Sequence, residues 1–257
     1  MSVRNLFDLT GKVALVTGGS RGLGREMVLA FAESGADVVI ASRKLDTCEA
    51  LAKEVRERFG RRAMPYACHV GQWKAVEQLA EAAYAEFGKV DVLVNNAGMS
   101  PTYGDNPADV TEELWDKVHG VNLKGPFRLA AVVGNRMAQG AGGSILNIST
   151  TGAVFSYPGM MPYHAAKAGM NNMTLAFAKA FAPKVRVNCI MPGGMATDIA
   201  KHWDMEHMER EVFPKIPLKR IGRADEIVGA ALYFASDASS YCTGAIIPVD
   251  GGDLISG

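Results

Sequence analysis

The chain contains 257 residues, of which 48% are hydrophobic and 21% charged, and its 27 basic side chains balance 27 acidic ones. This is an ordinary globular composition, and the length is sufficient for a sizeable core in a single domain over residues 1–257. The neutral balance argues against a nucleic-acid partner, and no segment approaches the ~18 consecutive apolar residues of a membrane span.

Short apolar runs alternate with longer helical patterns along the chain. The predicted strands cover residues 12–17, 37–42, 63–67, 91–96, 144–149, 185–190 and 245–250. Several of these runs are apolar throughout, which is typical of strands buried on both faces of a parallel sheet, and Pro65 places the weak third strand at an edge. The predicted helices cover residues 22–33, 47–59, 73–87 and 160–181. The alternation predicts an α/β fold, a doubly wound parallel sheet of about seven strands with helices on both faces.

Residues 196–222 break this alternation and form a long predicted insertion before the last helix and strand. The insertion mixes charged residues with Pro, Trp and Met. Trp203, Met205, Met208 and Phe213 indicate a partly apolar substrate lid, although residues at this spacing are as often simple packing.

The four cysteines, Cys48, Cys68, Cys189 and Cys242, show no Cys-x-x-Cys spacing, and the five scattered histidines add no metal-ligand pattern. We therefore expect reduced thiols and no metal site. The amino-terminal residues lack the apolar stretch of a signal peptide. These features together predict a cytoplasmic protein.

A glycine-rich turn, TGGSRGLG, spans residues 17–24 between the first predicted strand and the first predicted helix. Gly18 and Gly22 permit a turn this tight, and Gly24 lets the helix approach the sheet. The free N–H groups and the positive end of that helix would then face a crevice suited to a pyrophosphate. The spacing differs from the G-x-G-x-x-G pattern, so the turn alone is weak support for a nucleotide site.

The segment YHAAK places Tyr163 and Lys167 one helical turn apart on the same face. A surface Tyr–Lys pair is common, but the two side chains can also form an acid–base unit. A phenol with a pKa of ~10 is a poor proton donor or acceptor at neutral pH. A nearby ammonium favours the phenolate and is expected to move that pKa towards the working range.

Taken in order, TGGSRGLG, NNAG at residues 95–98, VN at residues 121–122, YHAAK and PGG at residues 192–194 resemble the motifs of the short-chain dehydrogenase/reductase family. The resemblance extends from about Asp8 to the end of the chain. It implies a Rossmann-type single domain that moves hydride between a nicotinamide cofactor and a carbonyl/secondary alcohol pair. The type is closest to β-ketoacyl-thioester (3-oxoacyl-acyl-carrier-protein) reductases, and it implies a homo-oligomer, a tetramer or a dimer.

The same resemblance implies roles for individual residues. Tyr163 would be the general acid/base, Lys167 would tune it and bind the nicotinamide ribose, and Asn122 would hold a water linking Lys167 to solvent. A helix-bend hydrogen bond is the alternative role for Asn122. The residues implied to bind the cofactor are Gly18, Ser20, Arg21, Gly22, Leu23, Gly24, Ser42, Arg43, His69, Val70, Asn95, Ala97, Gly98, Tyr163, Lys167, Pro192, Gly193, Met195 and Thr197.

Two positions depart from the family pattern. The family usually has a serine thirteen residues before the tyrosine, where it hydrogen-bonds the substrate oxygen; here that residue is Thr150, after Ser149. Threonine keeps the hydroxyl but adds a methyl group and a stiffer χ1. The family often has an aspartate for the adenine amino group where His69 stands, and Val70 is still expected to pack near the adenine.

The end of the second strand bears on the cofactor. Family members that use NAD often have an acidic residue where this chain has Ser42, followed by Arg43. Without that acid a 2′-phosphate meets no repulsion, and the guanidinium of Arg43 can bind it, with Arg21 as a second cation. We therefore predict that NADP is preferred and that NAD is possible.

The substrate is poorly specified by the sequence. Met99, Tyr103, Val154, Phe155 and Tyr157 are expected around the reacting carbonyl, and no basic cluster indicates an acyl-carrier protein or a phosphorylated substrate. We predict an NADPH-dependent ketone or β-ketoacyl reductase. The alternatives are a dehydrogenase of a polyol, sugar acid or steroid alcohol, or a non-catalytic dinucleotide-binding regulator.

Overall fold

The computed structural model describes residues 6–104, 106–197 and 205–255. Within this part of the chain, a central sheet of seven parallel strands is joined by one short two-stranded pair. The central strands are β1 (Val13–Thr17), β2 (Asp37–Ser42), β3 (Ala63–Ala67), β4 (Val92–Asn95), β5 (Gly143–Ile148), β6 (Val185–Pro192) and β9 (Ile246–Val249), and the short pair is β7 (Met195–Ala196) with β8 (Gly222–Arg223). The order across the sheet is β3-β2-β1-β4-β5-β6-β9.

Eight α-helices are found among the described residues. They are α1 (Gly22–Glu33), α2 (Leu45–Phe59), α3 (Trp73–Phe87), α4 (Glu112–His119), α5 (Gly125–Gln139), α6 (Met161–Phe181), α7 (Met205–His207) and α8 (Val228–Ala235). None of the described helices has both the length and the apolar character required to cross a membrane.

The helices form two layers because alternate residues of each strand point to opposite faces of the sheet. In the register of the sheet, Leu15 lies beside Leu93, and Leu93 lies beside Ile145. These three side chains pack with α3, α5 and α6 on one face. Their strand neighbours, such as Val16 and Leu146, pack with α1, α2 and α8 on the other.

The structure confirms the predicted doubly wound fold and the edge position of β3. The sequence prediction missed α4 and α5, and it expected α8 only as a last helix without bounds. Gly120, Gly125 and Pro126 interrupt the helical pattern of the first two, and in the structure α4 continues into α5 through a π-helical turn, Gly120–Lys124.

The ends of the predicted insertion at residues 196–222 pair with each other, because β7 runs parallel to β8 and Met195 lies beside Gly222. The described interior contains a π-helical turn, Met208–Val212, and a 3-10 turn, Phe213–Lys215. The predicted lid residue Trp203 and the side chain of Met205 lie outside the described part.

Candidate functional site

The candidate residues lie at the carboxyl ends of the central strands. The chain leaves β1 towards β2 on one side, whereas β4 lies on the other side of β1. Such a reversal of strand order opens a crevice at the carboxyl edge of a doubly wound sheet, where ligands bind. The glycine-rich turn after β1 and the NNAG segment after β4 meet at this reversal.

The glycine-rich turn is fixed by β4. Gly18 and Gly22 have positive φ values of 63° and 52°. The side-chain amide of Asn96 donates to the carbonyl oxygens of Thr17 at 2.9 Å and of Gly18 at 3.1 Å. A Cβ on Gly18 would lie 2.9 Å from the Cα of Ala97, so only glycine allows this approach.

The amino-terminal end of α1 is suited to bind a pyrophosphate. Its first turn contains no acidic side chain, and its N-cap residue, Arg21, makes no side-chain capping hydrogen bond, so N–H groups there are left to bind an anion. Across the turn, a Cβ on Gly22 would lie 3.5 Å from the Cβ of Thr197, so Thr197 borders the same cradle. Leu23 is half-buried against the core. A Cβ at position 22 would narrow this cradle. With glycine there, the cradle fits the pyrophosphate of a dinucleotide.

The end of β2 presents hydroxyls and a cation. The Ser20 hydroxyl donates to Ser42 Oγ at 3.0 Å, which connects the glycine turn to β2. Arg43 and Arg21 are both exposed. No acidic residue stands at the end of this strand. A 2′-phosphate bound there would therefore meet positive charge.

The predicted adenosine-side residues divide into two groups. Val70 is buried, while His69 is half-buried and its Nδ1 accepts the Gly71 N–H at 3.2 Å. Gly98 is exposed at the crevice. The Asn95 side chain instead points inwards: it is 1% exposed and its amide donates to Asn147 Oδ1 at 2.9 Å. Any contact of Asn95 with a nucleotide would therefore use its main chain.

The segment after β6 closes the crevice from the other side. Pro192 is buried, and the Gly193 N–H donates to the Val249 carbonyl at 3.1 Å. A Cβ on Gly193 would lie 2.8 Å from that of Asp250, so the close approach needs glycine. The Met195 side chain belongs to the hydrophobic core, which leaves its main chain to face a ligand.

The structure brings Thr150, Tyr163 and Lys167 together. Tyr163 and Lys167 lie one turn apart on α6, and Lys167 Nζ is 5.9 Å from the centroid of the Tyr163 ring. Thr150 lies close enough to Tyr163 for its hydroxyl to lower the pKa of the phenol. The neighbouring Ser149 hydroxyl donates to the main-chain carbonyl of Lys167 at 3.2 Å and is buried.

The expectation that Lys167 lowers the pKa of Tyr163 is wrong. Burial raises the pKa of the Tyr163 phenol to about 12, and the hydrogen bond from Thr150 offsets this only in part. Burial also lowers the pKa of Lys167 to about 8. Removal from water disfavours the charged form of each group. The phenol is therefore protonated at neutral pH, as a proton donor must be.

Lys167 and Asn122 are each held by hydrogen bonds to main-chain groups. Lys167 Nζ donates to the Ile148 carbonyl oxygen at 2.7 Å. The Asn122 amide donates at 2.9 Å to the carbonyls of Met99 and Val118, and its Oδ1 accepts the Met99 N–H at 3.2 Å. The bond to Val118 supplies the helix-bend role in the π-helical turn. Only one lone pair of Oδ1 remains for a water.

Two residues with clear structural roles in the site were missed by sequence reasoning. Asn96 holds the glycine-rich turn. The family motif NNAG includes it, but the resemblance implies a cofactor-binding role only for the first asparagine, Asn95. His164 packs beneath the turn that follows Thr150, where its Nδ1 accepts the Tyr157 N–H at 3.2 Å. Its place directly after Tyr163 was the only signal available. Across the described residues, no cluster of three His, Cys, Asp or Glu side chains could hold a metal ion.

Comparison with known proteins gives consistent matches. The family model described as enoyl-(acyl carrier protein) reductase matches residues 18–253. The chain is 38% identical to sorbose reductase of Schizosaccharomyces pombe, with 96% of this chain and 98% of that one covered. It is 36% identical to a 3-oxoacyl-[acyl-carrier-protein] reductase of Thermotoga maritima, with 96% and 99% covered. The structure of the NADPH-dependent 3-quinuclidinone reductase of Rhodotorula rubra superposes with a TM-score of 0.93 at 32% identity, covering 99% and 95%.

Proposed function

Because the chain belongs to the short-chain dehydrogenase/reductase family, whose members interconvert carbonyls and secondary alcohols with a nicotinamide cofactor, we propose that it is an NADPH-preferring ketone reductase. The observation that carries this proposal is the proximity of the Thr150 hydroxyl, the Tyr163 phenol and the buried ammonium of Lys167. A regulator that only bound a dinucleotide would need no such set.

Each side chain has a separate task in this proposal. Tyr163, protonated at neutral pH, donates its phenolic proton to the substrate oxygen as negative charge develops there. The Thr150 hydroxyl binds the same oxygen and stabilises that charge. Lys167 holds the nicotinamide ribose and, through a water on Asn122, returns a proton to Tyr163. The bound cofactor supplies the hydride.

The cofactor would lie across the carboxyl edge of the sheet. Its pyrophosphate would be bound by the turn from Gly18 to Gly24 and by Thr197, and its carboxamide by the main chain of residues 192–195. Val70, His69 and the main chain of residues 95–98 would line the adenosine. The exposed guanidiniums of Arg43 and Arg21 would bind a 2′-phosphate, which supports NADP over NAD.

A ketone or β-ketoacyl substrate fits an apolar rim. Val154, Phe155 and Tyr157, in the segment that follows Thr150, are exposed. The second candidate, a dehydrogenase of a polyol, sugar acid or steroid alcohol, uses the same catalytic residues in the other direction. Turnover of a ketone and alcohol panel with both cofactors separates the two.

We also propose a single dinucleotide-binding domain over residues 1–257 with residues 196–222 as a substrate lid. A homo-oligomer is supported by an aromatic face, defined as Trp73, Phe127 and Phe177. These three rings from α3, α5 and α6 lie in series: Trp73 is tilted against Phe127 with centroids 6.3 Å apart, Phe127 stacks on Phe177 at 5.6 Å, and Trp73 and Phe127 are exposed. A cytoplasmic location is consistent with four free cysteines.

Replacing Tyr163 by Phe tests the proposed function. The variant removes only the phenolic oxygen, so we expect turnover to fall by ~10²–10⁴-fold. Cofactor affinity, measured by fluorescence titration, should be retained. The control is Tyr233→Phe, which removes the phenol of a partly exposed residue of α8. Normal turnover by Tyr163→Phe would refute the assignment.

A further inference from the structure

The segment of residues 150–158 joins β5 to α6 and carries the proposed substrate contacts. Thr150 begins it, and Val154, Phe155 and Tyr157 are 61%, 45% and 56% exposed. Short-range hydrogen bonds shape its first half: the Ala153 N–H donates to the Thr150 carbonyl, and the Phe155 N–H donates to that of Thr151. We call this segment the substrate loop.

A single buried side chain, His164, joins the second half of the substrate loop to α6. It lies in the first turn of α6 and is 4% exposed. Its Nδ1 accepts the Tyr157 N–H at 3.2 Å, and its ring centroid is 6.0 Å from that of Tyr157 and 5.6 Å from that of Tyr163. It therefore contacts both the loop and the proposed proton donor.

The first half of the loop also depends on this ring. A Cβ on Gly152 would overlap the imidazole, with its nearest ring atom Nε2. Glycine at 152 is thus required by the close approach of the loop to His164, since the backbone there is not in the left-handed region. His164 is in contact with both halves of the substrate loop.

Only the neutral imidazole can make these contacts. Nδ1 acts as an acceptor, so the proton must be on Nε2. In the first turn of a helix a positive charge is opposed by the helix dipole, and burial lowers the pKa of His164 below its usual value. Protonation would convert Nδ1 from an acceptor into a donor. Two donors, Nδ1 and the Tyr157 N–H, would then face each other and their hydrogen bond would be lost.

We propose that neutral His164 is a positioning residue that holds the substrate loop in its binding conformation, and that its protonation releases the loop and weakens substrate binding. The proposal rests on the proposed function, because it gives the loop its substrate. The titratable groups that face this arrangement are Tyr157 and Tyr163 and, acting on Tyr157 from the carboxyl-terminal segment, Asp253. The pKa of Tyr157 is raised by burial, so both phenols stay neutral at acidic pH.

The direction of the pH effect follows from linkage. A histidine whose pKa is lowered by folding binds fewer protons in the ordered state than in the open one. The ordered loop is therefore fully favoured above about pH 6.5, the usual histidine pKa, and loses stability as the pH falls below it.

Two variants of His164 separate its roles. His164→Leu keeps the bulk and removes the acceptor, so KM should rise by about fivefold to tenfold at all pH values with little change in kcat. His164→Asn keeps an acceptor near the position of Nδ1 and cannot titrate. It should therefore retain a low KM and lack the rise in KM at acidic pH that we expect of the wild type. The control is His119→Leu, which removes a histidine from α4, outside the substrate loop.

Hydrogen exchange of the Tyr157 amide, corrected for the intrinsic rate, tests the loop without any substrate. We expect faster exchange in His164→Leu at pH 7.5 and in the wild type at acidic pH, but not in His164→Asn. Gly152→Ala should also accelerate it in the wild-type background, but should add less acceleration in a His164→Ala background, where the overlapping ring is absent.

The results can contradict the proposal in distinct ways. Equal exchange in the wild type and His164→Leu would overturn the role of His164 in the loop. Faster exchange with an unchanged KM would overturn its role in substrate binding. Absence of turnover in the wild type with any ketone or alcohol would refute the proposed function instead, while the exchange rates would still decide whether His164 holds the loop.

Discussion

At the scale of single residues, the two hydroxyls at the end of β5 have different surroundings. The Thr150 hydroxyl lies near the phenol of Tyr163, whose pKa it lowers, and accepts the Gly152 N–H at 3.3 Å. Ser149 is 4% exposed and donates to the carbonyl of Lys167. Successive residues of an extended chain point to opposite sides, so only one of the two can face a substrate.

We therefore predict that Thr150→Val lowers kcat by ~10²-fold, because it keeps the branched shape but removes a donor to the developing negative charge. Thr150→Ser should retain activity, since it keeps the hydroxyl and loses only a methyl group. Steady-state kinetics on the three forms gives the comparison.

Ser149→Ala is the matched control and should change kcat less. It removes a hydrogen bond within the fold, so its effect should appear in thermal stability, by ~0.5–1.5 kcal/mol. If Ser149→Ala were inactive and Thr150→Val normal, the hydroxyl that binds the substrate would belong to Ser149 and not to Thr150.

Spacing along the chain predicted which residues lie together, but not their electrostatics. The thirteen-residue interval from Thr150 to Tyr163 spans the segment between β5 and α6 and the start of α6, and in the structure the two side chains lie close together. The pKa of Tyr163 was predicted to fall, and it rises, because burial depends on packing from distant segments. The inward direction of Asn95 likewise depends on Asn147, 52 residues away.

At the scale of elements, the end of β2 determines the proposed choice of cofactor. Ser42 is connected to the glycine turn by the hydroxyl of Ser20, so the position is close to the crevice. Arg43 follows as an exposed cation. A carboxylate at 42 would repel a 2′-phosphate, whereas the hydroxyl does not.

We predict that kcat/KM favours NADPH over NADH by about tenfold, which corresponds to ~1.4 kcal/mol and is within the range of one charged hydrogen bond. Ser42→Asp combined with Arg43→Leu should reverse the preference. Lys44→Leu, which removes the next exposed cation, should leave it unchanged. Equal use of both cofactors by the wild type would contradict the roles of Arg43 and Arg21.

The elements that the sequence predicted best are those with uniform patterns. The apolar runs of β1 and β2 are buried on both faces and could be assigned from composition alone. The passage from α4 to α5 could not, because its continuity depends on a π-helical turn in which the Asn122 side chain bonds the Val118 carbonyl. That turn is the element that carries Asn122 to the site.

At the scale of the whole molecule, the two layers of helices differ in what they expose. The aromatic face lies on the layer of α3, α5 and α6, with Phe127 43% exposed between Trp73 and Phe177. On the layer of α2, Leu45 is also 43% exposed but belongs to no aromatic stack among the described residues. Contiguous exposed apolar surface of the first kind is typical of contacts between proteins.

We predict that the wild type is a homo-oligomer and that Phe127→Glu dissociates it into smaller species, because a buried interface would have to desolvate an unpaired carboxylate. Light scattering coupled to size-exclusion chromatography measures the mass of each form. Leu45→Glu introduces the same charge at a side chain of equal exposure on the opposite layer, and should leave the mass unchanged. Circular dichroism should show that both variants remain folded. A monomeric wild type would contradict the proposed assembly, and an unchanged mass for Phe127→Glu would exclude the aromatic face as its interface.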